Sequence, residues 1–165
     1  MTETRRDTLP EHDFAAHEHQ ELRHGIDRMH AVGALRGTKG ELSVAVLDVL
    51  HWVEEVLTPH AQWEDRWLYP EIDQRAGTPW ATKLMTYEHQ QILDAAHALR
   101  AARTALRTGA DLEMIETRAR IFALEALIRA HMQREERFLI PLLDSDGTVG
   151  ASPPRPPQRA PAGAA

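Results

Sequence analysis

Apolar residues recur along most of this chain at spacings of three and four, the period of an α-helix that buries one face. In the first such segment Ala15, His19, Leu22, Ile26 and Met29 share a stripe, which predicts a helix from about Asp13 to Leu35 that stops in Gly37-Thr38-Lys39-Gly40. A second helix is expected over about Glu41 to Asp73, striped by Val46, Val49, Val53, Val56, Leu57, His60, Glu64 and Trp67. Pro59 lies inside it and removes a backbone donor, so a kink or bulge is expected one residue before His60. Thr78 as N-cap and Pro79 at the first helical position open a third helix, which runs through Met85, His89, Ile92, Ala96 and Leu99 and ends before Gly109. Asp111 caps a fourth, carrying Leu124, Leu127, Ile128, His131, Glu135 and Phe138 to Pro141. Strand patterns and hairpin dipeptides are lacking. Four long helices with short links predict an all-α fold, an up-down-up-down antiparallel four-helix bundle.

Composition narrows the chemistry. At 165 residues and 42% hydrophobic content the chain can bury a core without disulfides, and it has no cysteine, which removes thiolate nucleophiles, iron-sulfur clusters and zinc-finger sites. Any metal must be held by histidine and carboxylate. The net charge of -6 speaks against nucleic acid as a partner, more so because the tail, 147–165, contributes Arg155 and Arg159 and no acid. No apolar run is long enough for a membrane span and the first residues hold no signal-like segment, so the expected location is cytoplasmic. The Pro- and Ala-rich stretch from Ala151 to Ala165 is expected to stay disordered, the alternative being a polyproline ligand at Pro153 to Pro157.

One segment occurs twice. His60-Ala-Gln-Trp-Glu64-Asp-Arg-Trp-Leu-Tyr-Pro70 returns 71 residues later as His131-Met-Gln-Arg-Glu135-Glu-Arg-Phe-Leu-Ile-Pro141, with acid kept at 65/136 and an aromatic ring at 67/138. Upstream of each copy, Glu18-His19-Gln20-Glu21-Leu22 echoes Glu88-His89-Gln90-Gln91-Ile92. Each half therefore reads His, then His-x-x-x-Glu. Residues four apart lie on one helix face, so each pair offers an imidazole and a carboxylate to one point. Together His19, His60, Glu64, His89, His131 and Glu135 supply four nitrogens and two carboxylates, all at similar depth in a bundle. That set suits two borderline ions bridged by carboxylates, with iron, manganese and zinc all admissible. The competing explanation, a metal-free polar network, makes two glutamates among apolar side chains costly to bury unless they are protonated or matched by positive charge.

The remaining histidines point elsewhere. His51 and His17 lie on the faces opposite His60 and His19, His12 and His30 sit too far along the axis, and His24 and His97 belong to no pattern. Glu18 and Glu88 are read as surface carboxylates, the alternative being acceptors that orient imidazoles. A ferritin-type site needs two Glu-x-x-His pairs and finds only Glu21 with His24; a zincin motif, a nucleophile elbow and a P-loop are lacking.

The doubled His, His-x-x-x-Glu pattern, with its Leu-Tyr-Pro and Leu-Ile-Pro endings, resembles the hemerythrin-like, or HHE cation-binding, family over about residues 12–143. The resemblance implies a non-haem di-iron centre bridged by an oxygen species and two carboxylates. His19 and His60 would hold one iron, His89 and His131 the other, with Glu64 and Glu135 bridging. Oxygen-carrying members have a further histidine where this chain has Leu93, so up to two positions stay open on each ion. The implied partner is a small oxidant: dioxygen, peroxide or nitric oxide. Three functions follow from such a centre: binding or sensing the oxidant, turning peroxide over as an enzyme, or reporting iron to a protein partner.

Overall fold

The structure, a computed structural model, describes residues 11–106 and 111–144. The tail expected to be disordered lies outside the described residues, as do the side chains of His12, Ala15 and His17. Among the described residues every regular element is helical. No helix there is long and apolar enough to cross a membrane.

The chain folds into four rods. The first is α1, Glu11–Gly33. The second is composite: α2, Lys39–Trp52, then a π-helical turn at Val53–Leu57, α3 at Thr58–Trp63, a second π turn at Glu64–Leu68, and α4 at Tyr69–Ala76. The third is α5, Lys83–Leu106. The fourth is α6, Leu112–Arg134, continued by a π turn at Glu135–Leu139 and a 3-10 segment at Ile140–Asp144. α6 packs on α5 and α1, and α2 packs on α5 and α1. Contacts between α1 and the fourth rod run in opposite directions, Arg23 with Glu136 and Asp27 with Arg129. So do those between the second rod and α5: Arg103 donates to Ser43 O at 2.7 Å, and Thr86 Oγ1 to Asp65 Oδ1 at 3.0 Å.

The expected bulge before His60 is the first π turn, and its cause is general. Pro59, Pro70 and Pro141 each follow a π turn that ends two residues earlier. Proline has no N–H, and its ring collides with the carbonyl four residues back. The ladder therefore widens: the N–H of Thr58, Tyr69 and Ile140 reaches back five residues, to the carbonyls of Val53, Glu64 and Glu135. The widened turn also overturns two core assignments. Trp67 and Phe138 are exposed, with Arg66 and Arg137 over their rings, because the extra residue rotates positions beyond Glu64 and Glu135 off the regular wheel. Leu68, Tyr69, Leu139 and Ile140 turn inward instead.

Two helix starts also differ from expectation. The second rod opens at Lys39, because Thr38 and Glu41 close a capping box. α5 begins at Lys83 and not after Thr78: the N–H and hydroxyl of Thr82 both donate to Asp73 Oδ1, tying the link to α4, while Thr78 Oγ1 accepts only from Trp80 N. Gly77 ends α4 in the left-handed conformation at φ 66°. Asp111 does precede α6, but its carboxylate pairs with Lys39 at 3.2 Å and does not cap the helix.

The core falls into two apolar clusters. The larger gathers Leu22, Ile26, Met29, Val46, Leu99, Leu124 and Ile128 with their neighbours. The smaller holds Leu68, Tyr69, Ile72, Met85, Leu139 and Leu143. In α1 and α2 the approach is closest at Gly25, where a Cβ would stand 2.0 Å from Trp52 Cε2. Gly25→Ala should lower stability by about 1–3 kcal/mol through overpacking. Gly40→Ala, whose Cβ meets only Thr38 Oγ1 at 3.9 Å, should leave stability equal or higher. Thermal melts of both variants check this, and an unchanged melt for Gly25→Ala would show that Trp52 yields freely.

Candidate metal centre

Between the two apolar clusters lies a polar layer. His19 comes from α1, His60 from α3, His89 from α5 and His131 from α6, while Glu64 and Glu135 are the first residues of the second and third π turns. The structure brings all six together, none more than 9% exposed. A glutamate at the head of a π turn has its own carbonyl tied to the residue five further on, so the proline that forces the turn decides which residue packs beneath that glutamate.

The carboxylates sit between the halves. Glu64 turns Oε1 to His60 Nε2 at 2.9 Å and His19 Nε2 at 3.7 Å, and Oε2 to His89 Nε2 at 3.2 Å. Glu135 turns Oε2 to His19 Nε2 at 3.4 Å and Oε1 to His131 Nε2 at 3.5 Å. Yet His19 Nε2, both Glu64 oxygens and Glu135 Oε2 are buried without a hydrogen bond among the described residues. Imidazole nitrogens and carboxylate oxygens that converge in a buried layer are what a cation site requires. Ligand atoms of His19, His60 and Glu64 lie within 4.8 Å of one another, as do those of Glu64, His89, His131 and Glu135. Bonds of about 2.0–2.2 Å put opposite ligand atoms about 4 Å apart, so small side-chain shifts would close either set on an ion. The residues fit a pair of cations sharing Glu64.

Charge in this layer is balanced by protons when cations are lacking. Burial alone would push the His19 imidazole down, but the Glu135 and Glu64 carboxylates outweigh it and raise it to about 9. His60 is raised to about 10 against the same burial, chiefly by Glu64, then by Glu18 and Glu135. His89 is raised by Glu64 and Asp65 against burial. Burial pushes Glu64 up, and the imidazoles of His60, His19 and His89 more than reverse it, holding the carboxyl well below its ordinary value.

Around the layer stand acids that face the outer nitrogens. His19 Nδ1 is 3.0 Å from Glu136 Oε1, His89 Nδ1 is 3.1 Å from Asp65 Oδ1, and His131 Nδ1 is 3.1 Å from Glu88 Oε2. Glu18 Oε2 lies 3.8 Å from His60 Nδ1. The reading of Glu18 and Glu88 as surface carboxylates therefore gives way: both turn toward imidazoles, since the helix faces that bury the histidines carry them inward too. Asp65 and Glu136 escaped the sequence reading, although their shared acidity in the repeat was the signal.

Tyr69 was also missed. Its hydroxyl donates to Glu135 Oε1 and lies 3.3 Å from His89 Nε2 and 3.5 Å from His131 Nε2. Burial, then the negative charge of Glu64 and Glu135, holds its phenol far above the ordinary value, so it stays protonated. The matching position in the other half is Ile140. A cavity of about 20 Å³ lies among the donors, lined by His60, Glu64, His89, His131 and Glu135 and closed on its apolar side by residues that include Leu22, Ile92, Leu93 and Met132. That is room for one molecule of water size. Outside the layer, His24, His30, His51 and His97 are exposed, His30 pairing with Glu125 at 3.0 Å.

The raised imidazoles make a pH dependence. In the unfolded chain His19 and His60 lose their protons near 6.5, whereas in the folded metal-free protein they keep them to about 9 and 10. Between those values the folded state binds more protons, so stability is full below 6.5 and falls as pH rises through 9 to 10. Melting temperatures of the metal-stripped protein across this window should decline, and cation binding at neutral pH should release protons. A flat profile for the stripped protein would refute the charge balance described.

No curated protein and no solved structure matches the sequence. The profile of the family described as Hemerythrin HHE cation binding domain matches residues 12–143. The match spans all six residues of the buried layer and the acids around it, and the chain accordingly belongs to the hemerythrin HHE cation-binding domain family.

Proposed function

We propose that this protein is a cytoplasmic, non-haem di-iron protein that binds or senses dioxygen or a related small oxidant such as peroxide or nitric oxide. The domain, 12–143, would be an up-down-up-down bundle, an order that the opposed contacts of α1 with α6 and of α2 with α5 support. His19 and His60 would hold one iron and His89 and His131 the other, with Glu64 and Glu135 bridging. The observation that carries the reading is the posture of those two carboxylates, each with one oxygen toward either half. Manganese or zinc would fit the same donors.

Bound iron would supply exchangeable electrons and open coordination positions for the oxidant. The chain's own part is to hold and shield. The carboxylates would hold the two ions together, and the apolar residues that close the cavity would shield them from bulk water. Leu93 is one of those apolar residues, so a side chain without a ligand atom lines the cavity where oxygen carriers have a histidine.

Metal analysis of protein from iron-replete cells should find about two iron ions per chain. His60→Ala and Glu135→Ala should each lower that by about one equivalent, and His51→Ala should not change it. Equal metal content in all three variants would refute the assignment. Reduced protein should show a visible absorption change on exposure to air that reverses when oxygen is removed.

A second reading, a peroxide-consuming di-iron enzyme, is favoured by Tyr69, which holds a proton donor among His89, His131 and Glu135. Under that reading Tyr69→Phe keeps its iron but consumes peroxide about 100-fold more slowly, the scale of losing one positioned hydrogen-bond donor. If the parent protein neither evolves oxygen from peroxide nor consumes peroxide when a reductant is supplied, the enzyme reading fails and oxidant binding stands.

A further inference from the structure

The four histidines share an orientation that the ion pair alone does not explain. Each turns Nε2 inward to Glu64 or Glu135, and each turns Nδ1 outward to a different acid. The assignments repeat across the halves. The acid that follows each glutamate reaches the single histidine of the opposite half: Glu136 to His19 and Asp65 to His89. The acid that precedes each single histidine stands on the Nδ1 side of the paired histidine of its own half: Glu88 at 3.1 Å from His131, and Glu18 at 3.8 Å from His60, whose Nδ1 makes no hydrogen bond among the described residues.

Three of these acids are themselves held. Arg23 donates to Glu136. Arg134 grips both oxygens of Glu88, with Nη2 at 2.6 Å and Nε at 3.1 Å. Thr86 Oγ1 donates to Asp65 at 3.0 Å. Simple surface ion pairs would need only the arginines, and would have no reason to place an oxygen on the Nδ1 side of each ring.

We propose that Glu18, Asp65, Glu88 and Glu136 are positioning residues that form an outer ring of acceptors, one for each of the four imidazoles. Resting on the metal-centre reading above, the ring keeps the single proton of each neutral imidazole on Nδ1 and so leaves the Nε2 lone pair for the ion. A neutral imidazole has one N–H, and an acceptor beside one nitrogen decides which nitrogen is free to ligate. The carboxylate also makes that nitrogen a stronger donor, and removal of such a partner commonly weakens metal affinity 10- to 100-fold.

The test uses the full chain loaded with cobalt(II), whose paramagnetism shifts the imidazole N–H proton resonances away from all others. The parent should show slowly exchanging N–H signals from the bound histidines. Asp65→Ala and Glu88→Ala should each lose one of these and release cobalt to a chelator about 10- to 100-fold faster. Asp65→Asn and Glu88→Gln keep an acceptor oxygen; they should restore the signal at a displaced position and recover most of the retention. Glu54→Ala, which removes an exposed partner of Arg100, should match the parent. If the alanine variants fail to fold by circular dichroism, the displaced signal in the amide variants decides. Parent-like signals and release in Asp65 and Glu88 variants overturn the ring while leaving the metal centre standing. A parent that takes up no cobalt overturns both.

Discussion

Six ionisable side chains packed between two apolar clusters set the terms for this fold. Each carboxylate or imidazolium withdrawn from water costs several kcal/mol unless opposite charge is brought with it. The sequence places that demand at matched depths on four rods, so the charges are buried together and compensate one another. Without cations the compensation is protonic, with His19, His60 and His89 all raised by the glutamates they face. Cations of the right size would replace those protons. The same layer is thus the least self-sufficient part of the core.

The aim of the two glutamates depends on backbone chemistry some distance along the chain. Pro70 and Pro141 lie six residues after Glu64 and Glu135 and force the wide turns that those residues begin. A regular helix would offer the carboxylate at the same position but would present a different following residue beneath it. The repeat's closing proline is therefore part of the site's geometry although it touches none of the donors described.

Much of this was legible in the sequence because it follows the helical period. The spacing of His60 with Glu64 and of His131 with Glu135, and the separate stripes carrying His19 and His89, needed only the rule of 3.6 residues per turn. What was not legible begins where that rule stops. On a regular wheel Tyr69 lies about 140° from Glu64, facing away. The π turn bonds its N–H directly to the Glu64 carbonyl and brings it inside, while Trp67 and Phe138 rotate out. The start of α5 at Lys83 was hidden for another reason, since Asp73 of the preceding helix claims Thr82. Asp65 and Glu136 act across rods, a relation that no spacing along one helix contains.

The exchange of tyrosine for isoleucine at 69 and 140 makes the duplicated framework unequal inside. A phenol stands beside His89 and His131, while the matching position of the repeat holds a buried aliphatic side chain, Ile140, that can donate no hydrogen bond. Two identical ions in this chamber would not be equivalent neighbours. An ion held beside His89 and His131 would lie against a fixed hydroxyl dipole that the matching isoleucine has no means to supply.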